Sequence, residues 1–183
     1  MMSGEAPVHF SSTLGGMIGT FTYAFLVILG STLVGLVVAL VMVRIRVADH
    51  PGALPVTVFL VLFAIGMIGL LVGTYAYAPH GFTVTHDSIV VERPISPVSI
   101  PYSQIESVRR AGDDVKGAKR VFGVGGLFGS YGRYYSKGLG SFRMYATDDR
   151  NAVVVRGNTT YVLTPDRPDE FVELVGKYLG PRS

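Results

Sequence analysis

The chain contains no cysteine. Disulfides, thiol nucleophiles, cysteine-ligated zinc and thiolate-held iron–sulfur clusters are thereby excluded, and the redox compartment is left undetermined. Tryptophan is absent as well. Charge is scarce: 16% of the residues are Asp, Glu, Lys or Arg, against ~25% in an average soluble domain. The shortfall is concentrated in two runs. Met17 to Val43 (MIGTFTYAFLVILGSTLVGLVVALVMV) and Val56 to Ala78 (VTVFLVLFAIGMIGLLVGTYAYA) hold no Asp, Glu, Lys, Arg or His. The 183 residues show no internal repeat.

Length decides what these runs are. A bilayer core takes ~20 apolar residues of helix, and both runs reach that with room for tilt. A buried helix of a soluble protein keeps a polar face, and these keep none. Between them lies RIRVADHPGALP, whose Pro51, Gly52 and Pro55 are turn chemistry. A cleaved secretory leader has a basic start and a short apolar core. Residues 1–16 carry no Lys or Arg, so the expectation is a retained span. The chain therefore divides into an N-terminal tail (1–16), a transmembrane hairpin (17–78, with spans 17–43 and 56–78) and a domain over 79–183.

Carriers and proton relays place ionisable groups at membrane depth. His9, His50, His80 and His86 all fall outside the spans, so the hairpin reads as an anchor or a packing surface. Ser31, Gly35 and Ala39 on the first span, and Gly69 and Gly73 on the second, stand four apart. Small residues at that spacing let helix backbones approach closely, and these five are the candidate helix-packing residues. Arg44 and Arg46 lie in the inter-span loop while the tail has no basic residue. The excess of basic residues puts the loop in the cytoplasm and both termini outside, in a multi-pass protein of the cell membrane.

Beyond Pro79 the texture changes to short runs rich in β-branched and aromatic residues. GFTVT (81–85), IVVE (89–92), IESVRR (105–110), SFRMYA (141–146), AVVVR (152–156) and YVLT (161–164) are separated by turn residues, as in a small barrel or sandwich. Asp166 is placed to cap a helix that starts at Pro168, with Asp169 and Glu170 in its first turn. Phe171, Leu174, Val175, Tyr178 and Leu179 form one apolar stripe on that helix, which Gly180-Pro181 stops. One sticky face needs one floor, so the helix is expected over the open end of the strands.

This order of strands with a terminal helix resembles the pleckstrin-homology (PH) fold, and its wording resembles bacterial PH domains. GFTVTHDSIVVE is similar to their opening hairpin and IPYSQIESVRR to a following strand. GLFGSYGRYYSKGLGSFRMYATDDRNAVVVRG with YVLTPDRPDEFVELV is similar to their closing strands and helix. The resemblance covers residues 81 to 180. It implies a membrane protein in which a two-helix transmembrane hairpin precedes a PH-like small β barrel closed by a C-terminal α-helix. It implies a binding module, with lipid headgroups among the ligands of such domains, and it brings no catalytic residue. The proline-laden ERPISPVSIP (92–101) departs from the pattern and obscures the strands around it.

The stretch RVFGVGGLFGSYGRYYSKGLGSFRMY (120–145) asks for its own account. A P-loop needs Gly-x-x-x-x-Gly-Lys-Ser/Thr, and Lys137 stands in the wrong register. A dinucleotide fingerprint needs a third glycine where Phe128 sits, and a helix after it. Arg109, Arg110, Lys116, Lys119, Arg120, Arg133, Lys137 and Arg143 face only Asp113 and Asp114 across 109–143, eight positive against two negative; the rest of 79–183 has nine acids and six basic residues. Interleaved aromatics suit single-stranded nucleic acid, but a domain beginning one residue after a span has a membrane within reach, and nucleic acid is not the expected partner. Three readings stay open: glycines and aromatics that build tight strands, a surface for anionic lipid headgroups, and a protein-docking surface.

No Ser/His/Asp set, metal cluster or paired buried carboxylates can be assembled, so no enzymatic activity, metal or cofactor is expected. Asp113-Asp114 and Asp148-Asp149 read as solvated turns. The expected function is a membrane-anchored binding or scaffolding module. It would dock through the eight basic residues to membrane lipid, a membrane protein partner or further copies of itself. The alternative is an accessory subunit held in a larger membrane complex through its helices.

Overall fold

The computed structural model describes residues 6–46 and 53–180. The turn expected at Pro51 and Gly52 lies outside these residues. The chain forms two compact units: one runs through Thr22 and resumes at Tyr75, and the other is Tyr23–Thr74.

The second unit belongs to two helices, α1 (Gly16–Arg46) and α2 (Ala53–Tyr77). Both are long and apolar enough to cross a membrane, with mean hydropathy 2.8 and 2.7 over their most apolar windows. None of α2's window is buried and 11% of α1's is. The polar side chains in them turn inward on their own helix: Ser31 and Thr32 donate to the carbonyl of Ile28.

The first unit is two sheets and a helix. β1 (Val8–Ser11), β2 (Gly81–Val84), β3 (Ser88–Glu92) and β4 (Val98–Pro101) make an antiparallel sheet in that order. β5 (Ile105–Arg110), β6 (Lys119–Gly125), β7 (Ser130–Ser136), β8 (Gly140–Ala146), β9 (Val153–Gly157) and β10 (Tyr161–Leu163) make a second, ordered β5-β9-β10-β8-β7-β6. β10 runs parallel to β8; the other pairings are antiparallel.

The expected barrel is not closed. No ladder joins the two sheets among the described residues. The reason lies at the corners. β4 ends on Pro101, which has no N–H, and a 3-10 turn (Tyr102–Gln104) carries the chain into the other sheet. At the far edge, β6 carries a bulge between Arg120 and Phe122 that twists it away from further pairing.

Apolar alternation places the core between the sheets. Phe82, Val84, Ile89, Val91 and Ile100 from the first meet Ile105, Val153, Val155 and Leu163 from the second. α3 (Pro168–Leu179) closes this layer with Phe171 and Val175 fully buried, while Leu174, Tyr178 and Leu179 pack at its margin. The second sheet is also covered on its other face. Phe142, Met144, Ala146, Val154 and Val162 pack there with Ile18 from the first turn of α1. Burial on both faces explains why Ala152 to Val155 is an unbroken apolar run rather than an alternating one.

Two acidic residues depart from expectation. Asp166 does not cap α3; the N-cap residue is Arg167, with no side-chain bond. The Asp166 carboxylate instead accepts from the backbone N–H and the hydroxyl of Thr13, both at 2.9 Å. Asp166 N–H in turn donates to the Ser11 carbonyl. Asp148 is not solvated but 5% exposed. It caps a 3-10 turn by accepting from Arg150 N–H, and it pairs with the Arg150 side chain at 2.6 Å. Hydrogen bonds from Arg150 hold the Asp148 carboxyl below its ordinary value of 3.8, against the opposing effect of burial. A carboxylate lowered by folding stabilises fully above its ordinary value and stops doing so as pH falls through the lower, folded one. Asp148→Asn is therefore expected to cost about 1–2 kcal/mol at neutral pH. Relative to the parent, that deficit should shrink as pH falls below 3.8, which paired melts at neutral and acid pH would read.

Candidate basic surface on the β6–β8 sheet

The glycine-rich stretch folds as three strands because its glycines stand where side chains do not fit. Gly123 and Gly132 are direct cross-strand partners, both at φ 125°. A Cβ on Gly123 would lie 2.2 Å from the Tyr131 carbonyl oxygen, and one on Gly132 would lie 2.3 Å from that of Phe122. The strands approach through this pair. The interleaved aromatics are mostly core: Tyr131, Tyr134 and Phe142 are buried. The Tyr134 hydroxyl braces the hairpin by donating to the Val124 carbonyl at 2.7 Å.

The β6–β7 turn is tied to the domain-side ends of both apolar helices. Thr22 donates to the Gly126 carbonyl at 2.8 Å and accepts from Phe128 N–H at 3.1 Å. The Phe128 ring meets Tyr75 edge-on, with centroids 5.3 Å apart.

The eight basic residues do not form one patch. Arg109 pairs with Asp114, Lys116 with Asp113 at 2.8 Å, and Arg110 lies 3.9 Å from Asp169. Those three are balanced by local acids. Lys119, Arg120, Arg133, Lys137 and Arg143 have no ion pair among the described residues, and residues 119–146 contain no Asp or Glu. Strand register divides these five again. Arg133 stands directly opposite Arg143, and Phe122 opposite Arg133. Lys119 stands opposite Tyr135 on that same face, while Arg120 stands opposite Tyr134 on the other, and Lys137 is in the β7–β8 turn. The bulge at Val121 causes the split, which sequence spacing alone does not reveal.

The shared face holds a shallow groove of about 430 Å³ lined by Phe122, Gly132, Arg133, Arg143 and Tyr145. Phe122 is 71% exposed beside the arginines. Arg93, which sequence reasoning missed, packs behind this groove. Its guanidinium lies 5.7 Å from the Tyr145 ring centre and 5.9 Å from that of Tyr77, within cation–π range. Its Nε is buried with no hydrogen-bond partner among the described residues. Burial pushes the Tyr131 phenol up to about 12, with Tyr134 adding and Arg93 opposing. A neutral Tyr131 leaves the charge of this face to its cations.

The family described as bacterial PH domain matches residues 80–178, more than half of the chain. The chain belongs to the bacterial PH domain family. No curated protein and no solved structure matches it. PH domains are in general non-catalytic binding modules. Among the described residues there is no cluster of three or more His, Cys, Asp or Glu suited to a metal ion. The match leaves out β1 and the start of α1, although both contribute buried residues to the PH domain's two cores.

The small-residue stripes lie in the helical unit. Ser31, Gly35 and Gly69 are exposed there, and Ala39 and Gly73 partly so. A Cβ added at Gly35, Gly69 or Gly73 would meet nothing within 4 Å. Among the described residues these three glycines make no close helix–helix approach.

Proposed function

We propose that this protein is a membrane-anchored PH-domain docking module. The segments 17–43 and 56–78 span the bilayer, the loop with Arg44 and Arg46 is cytoplasmic, and the PH domain (79–183, completed by the residues before the first span) lies against the opposite surface. The observation that carries the reading is that β6–β8 and their turns hold five cations, with no ion pair among the described residues and no acid in 119–146, in a domain joined directly to two long apolar helices. Such a tether removes most of the freedom otherwise lost on docking, so weak contacts through this sheet suffice. The ligand is a membrane component: anionic lipid, a membrane protein, or another copy.

A second reading is favoured by one observation. In the small-residue stripes at Ser31, Gly35, Ala39 and at Gly69, Gly73, a Cβ added at any of the three glycines would meet nothing within 4 Å among the described residues. They suit a helix of a larger membrane complex, with this protein as its accessory subunit.

Co-purification from membranes in mild detergent separates the two. Replacing Lys119, Arg120, Arg133, Lys137 and Arg143 by glutamine is expected to remove the associated chains or lipid. Gly69→Leu with Gly73→Leu is expected to leave them. The reverse pattern transfers the function to the helices.

A further inference from the structure

Strand register sets four residues in one row across adjacent strands of the second sheet. Phe122 stands opposite Arg133, Arg133 opposite Arg143, and Arg143 beside Tyr161. Two residues along the same face, Tyr131 and Tyr145 are buried in the core between the sheets, whereas Phe122, Arg133 and Arg143 are exposed. The row is thus the part of the inner face that the core leaves uncovered, and the groove of about 430 Å³ opens on it. Like charges on strands ~4.8 Å apart repel, at a cost to the sheet. Local acids offset such a cost at Arg109 and Lys116, but residues 119–146 contain none.

Charge is half of the pattern. Outside α1 and α2, the exposed large apolar residues among those described are Ile95, Val121, Phe122 and Tyr135. Three of these four lie on β6 and β7, beside the unpaired cations. Exposed aromatics next to arginine have the composition of a protein-interface hot spot. A bare phosphate would satisfy the arginines and leave Phe122 in water. A nucleic-acid strand needs a track of stacking rings, and Tyr131, Tyr134, Phe142 and Tyr145 are buried. A second copy would bring the same cations to this face, and much of its acid is already taken. Asp113, Asp114, Asp169, Glu170 and Glu173 pair with cations of their own chain. A polypeptide with acidic and apolar side chains meets both halves of the pattern, because a carboxylate accepts the planar guanidinium fork bidentately.

We infer that the row Phe122–Arg133–Arg143–Tyr161 docks an acidic segment of a different protein, with carboxylates on the two arginines and an apolar side chain against Phe122. The inference rests on the docking-module reading above and names the chemistry of its partner.

The chain lacks tryptophan, so Phe122→Trp supplies a single fluorophore in the row. The full chain carrying it, in neutral detergent, is titrated with a short peptide of Glu-Glu-Leu repeats and with its Gln-Gln-Leu and Glu-Glu-Gly counterparts. Short-chain phosphatidylglycerol and a thymidine oligonucleotide are titrated alongside. The Glu-Glu-Leu peptide should shift the emission saturably, with the glutamine peptide inert and the glycine peptide clearly weaker. Adding Arg133→Gln and Arg143→Gln should weaken the Glu-Glu-Leu peptide about thirtyfold, the loss of two interface arginines. The melting temperature should not fall, since the same change removes a like-charge pair. Arg133→Lys with Arg143→Lys keeps the charge without the forks and should fall between. No saturable response to Glu-Glu-Leu, an equal response to the glutamine peptide, an unchanged affinity in the glutamine variant, or tighter binding of lipid or oligonucleotide would each overturn the inference. If one of those results comes while the five-glutamine variant still loses its associated component, the docking module stands and its ligand is of another class.

Discussion

Phe10→Ala is expected to destabilise the PH domain by about 3–5 kcal/mol, as much as any core truncation in it. Phe10 lies in a four-residue strand before the first apolar helix, some seventy residues from the domain in sequence. It is 2% exposed, stands opposite Phe82, and meets Phe171 edge-on at 5.2 Å. Its removal takes one ring from an aromatic stack that joins the first sheet to α3, and the surrounding rings cannot all close the gap. Amide hydrogen exchange at Val153, Val154 and Val155 reads the effect locally, apart from the helices in their detergent. Val8→Ala, at a partly buried position of the same strand, should cost about 1 kcal/mol. A change below 1 kcal/mol for Phe10→Ala would show that β1 is not part of the cooperative fold. The same reasoning extends to truncation. A chain beginning at Pro79 keeps all of the family match but loses Phe10, Ile18 and the Thr13–Asp166 bonds. It should open easily and self-associate through the β2 edge that β1 covers.

What was legible in the sequence follows from how local each signal is. The strands at Gly81–Val84, Ser88–Glu92, Ile105–Arg110, Gly140–Ala146, Val153–Gly157 and Tyr161–Leu163 are bounded by turn residues within a few positions, and composition finds them. The helical stripe around Phe171 and Val175 is local too. β1 is not: its four residues become a strand only through β2, across the whole hairpin. β4 is masked by Pro94, Pro97 and Pro101, which read as loop although all four of its residues stand in register with β3. Asp166 has every local mark of a helix cap, yet its partner Thr13 is 153 residues away. For the basic stretch, composition gives the excess charge but not its geometry. A single bulged residue, Val121, decides which cations share a face, and Arg93 joins from the loop that follows β3.

The glycine-rich stretch supports the second large effect. Gly132→Val should cost about 3–5 kcal/mol, from two sources that act together. At φ 125° the backbone lies where residues with a Cβ are strained by about 1–3 kcal/mol. The new Cβ would also stand 2.3 Å from the Phe122 carbonyl oxygen and 2.8 Å from the Gly123 Cα, both backbone atoms that no rotamer change can move. The hairpin must separate or the strand must change its path. Gly123→Val meets the Tyr131 carbonyl in the mirror-image collision. Once one substitution has forced the strands apart, the second should add less than its own cost, so the pair is expected to be clearly sub-additive in a double-mutant cycle. Gly140→Asn provides the contrast. Its φ of 72° is one that asparagine tolerates, and nothing lies within 4 Å of a Cβ there. That change should stay within about 1 kcal/mol. Denaturant melts in mild detergent would rank the three. Equal, small effects would mean that the strands do not meet through this glycine pair and that the repeated glycines serve the ligand rather than the fold.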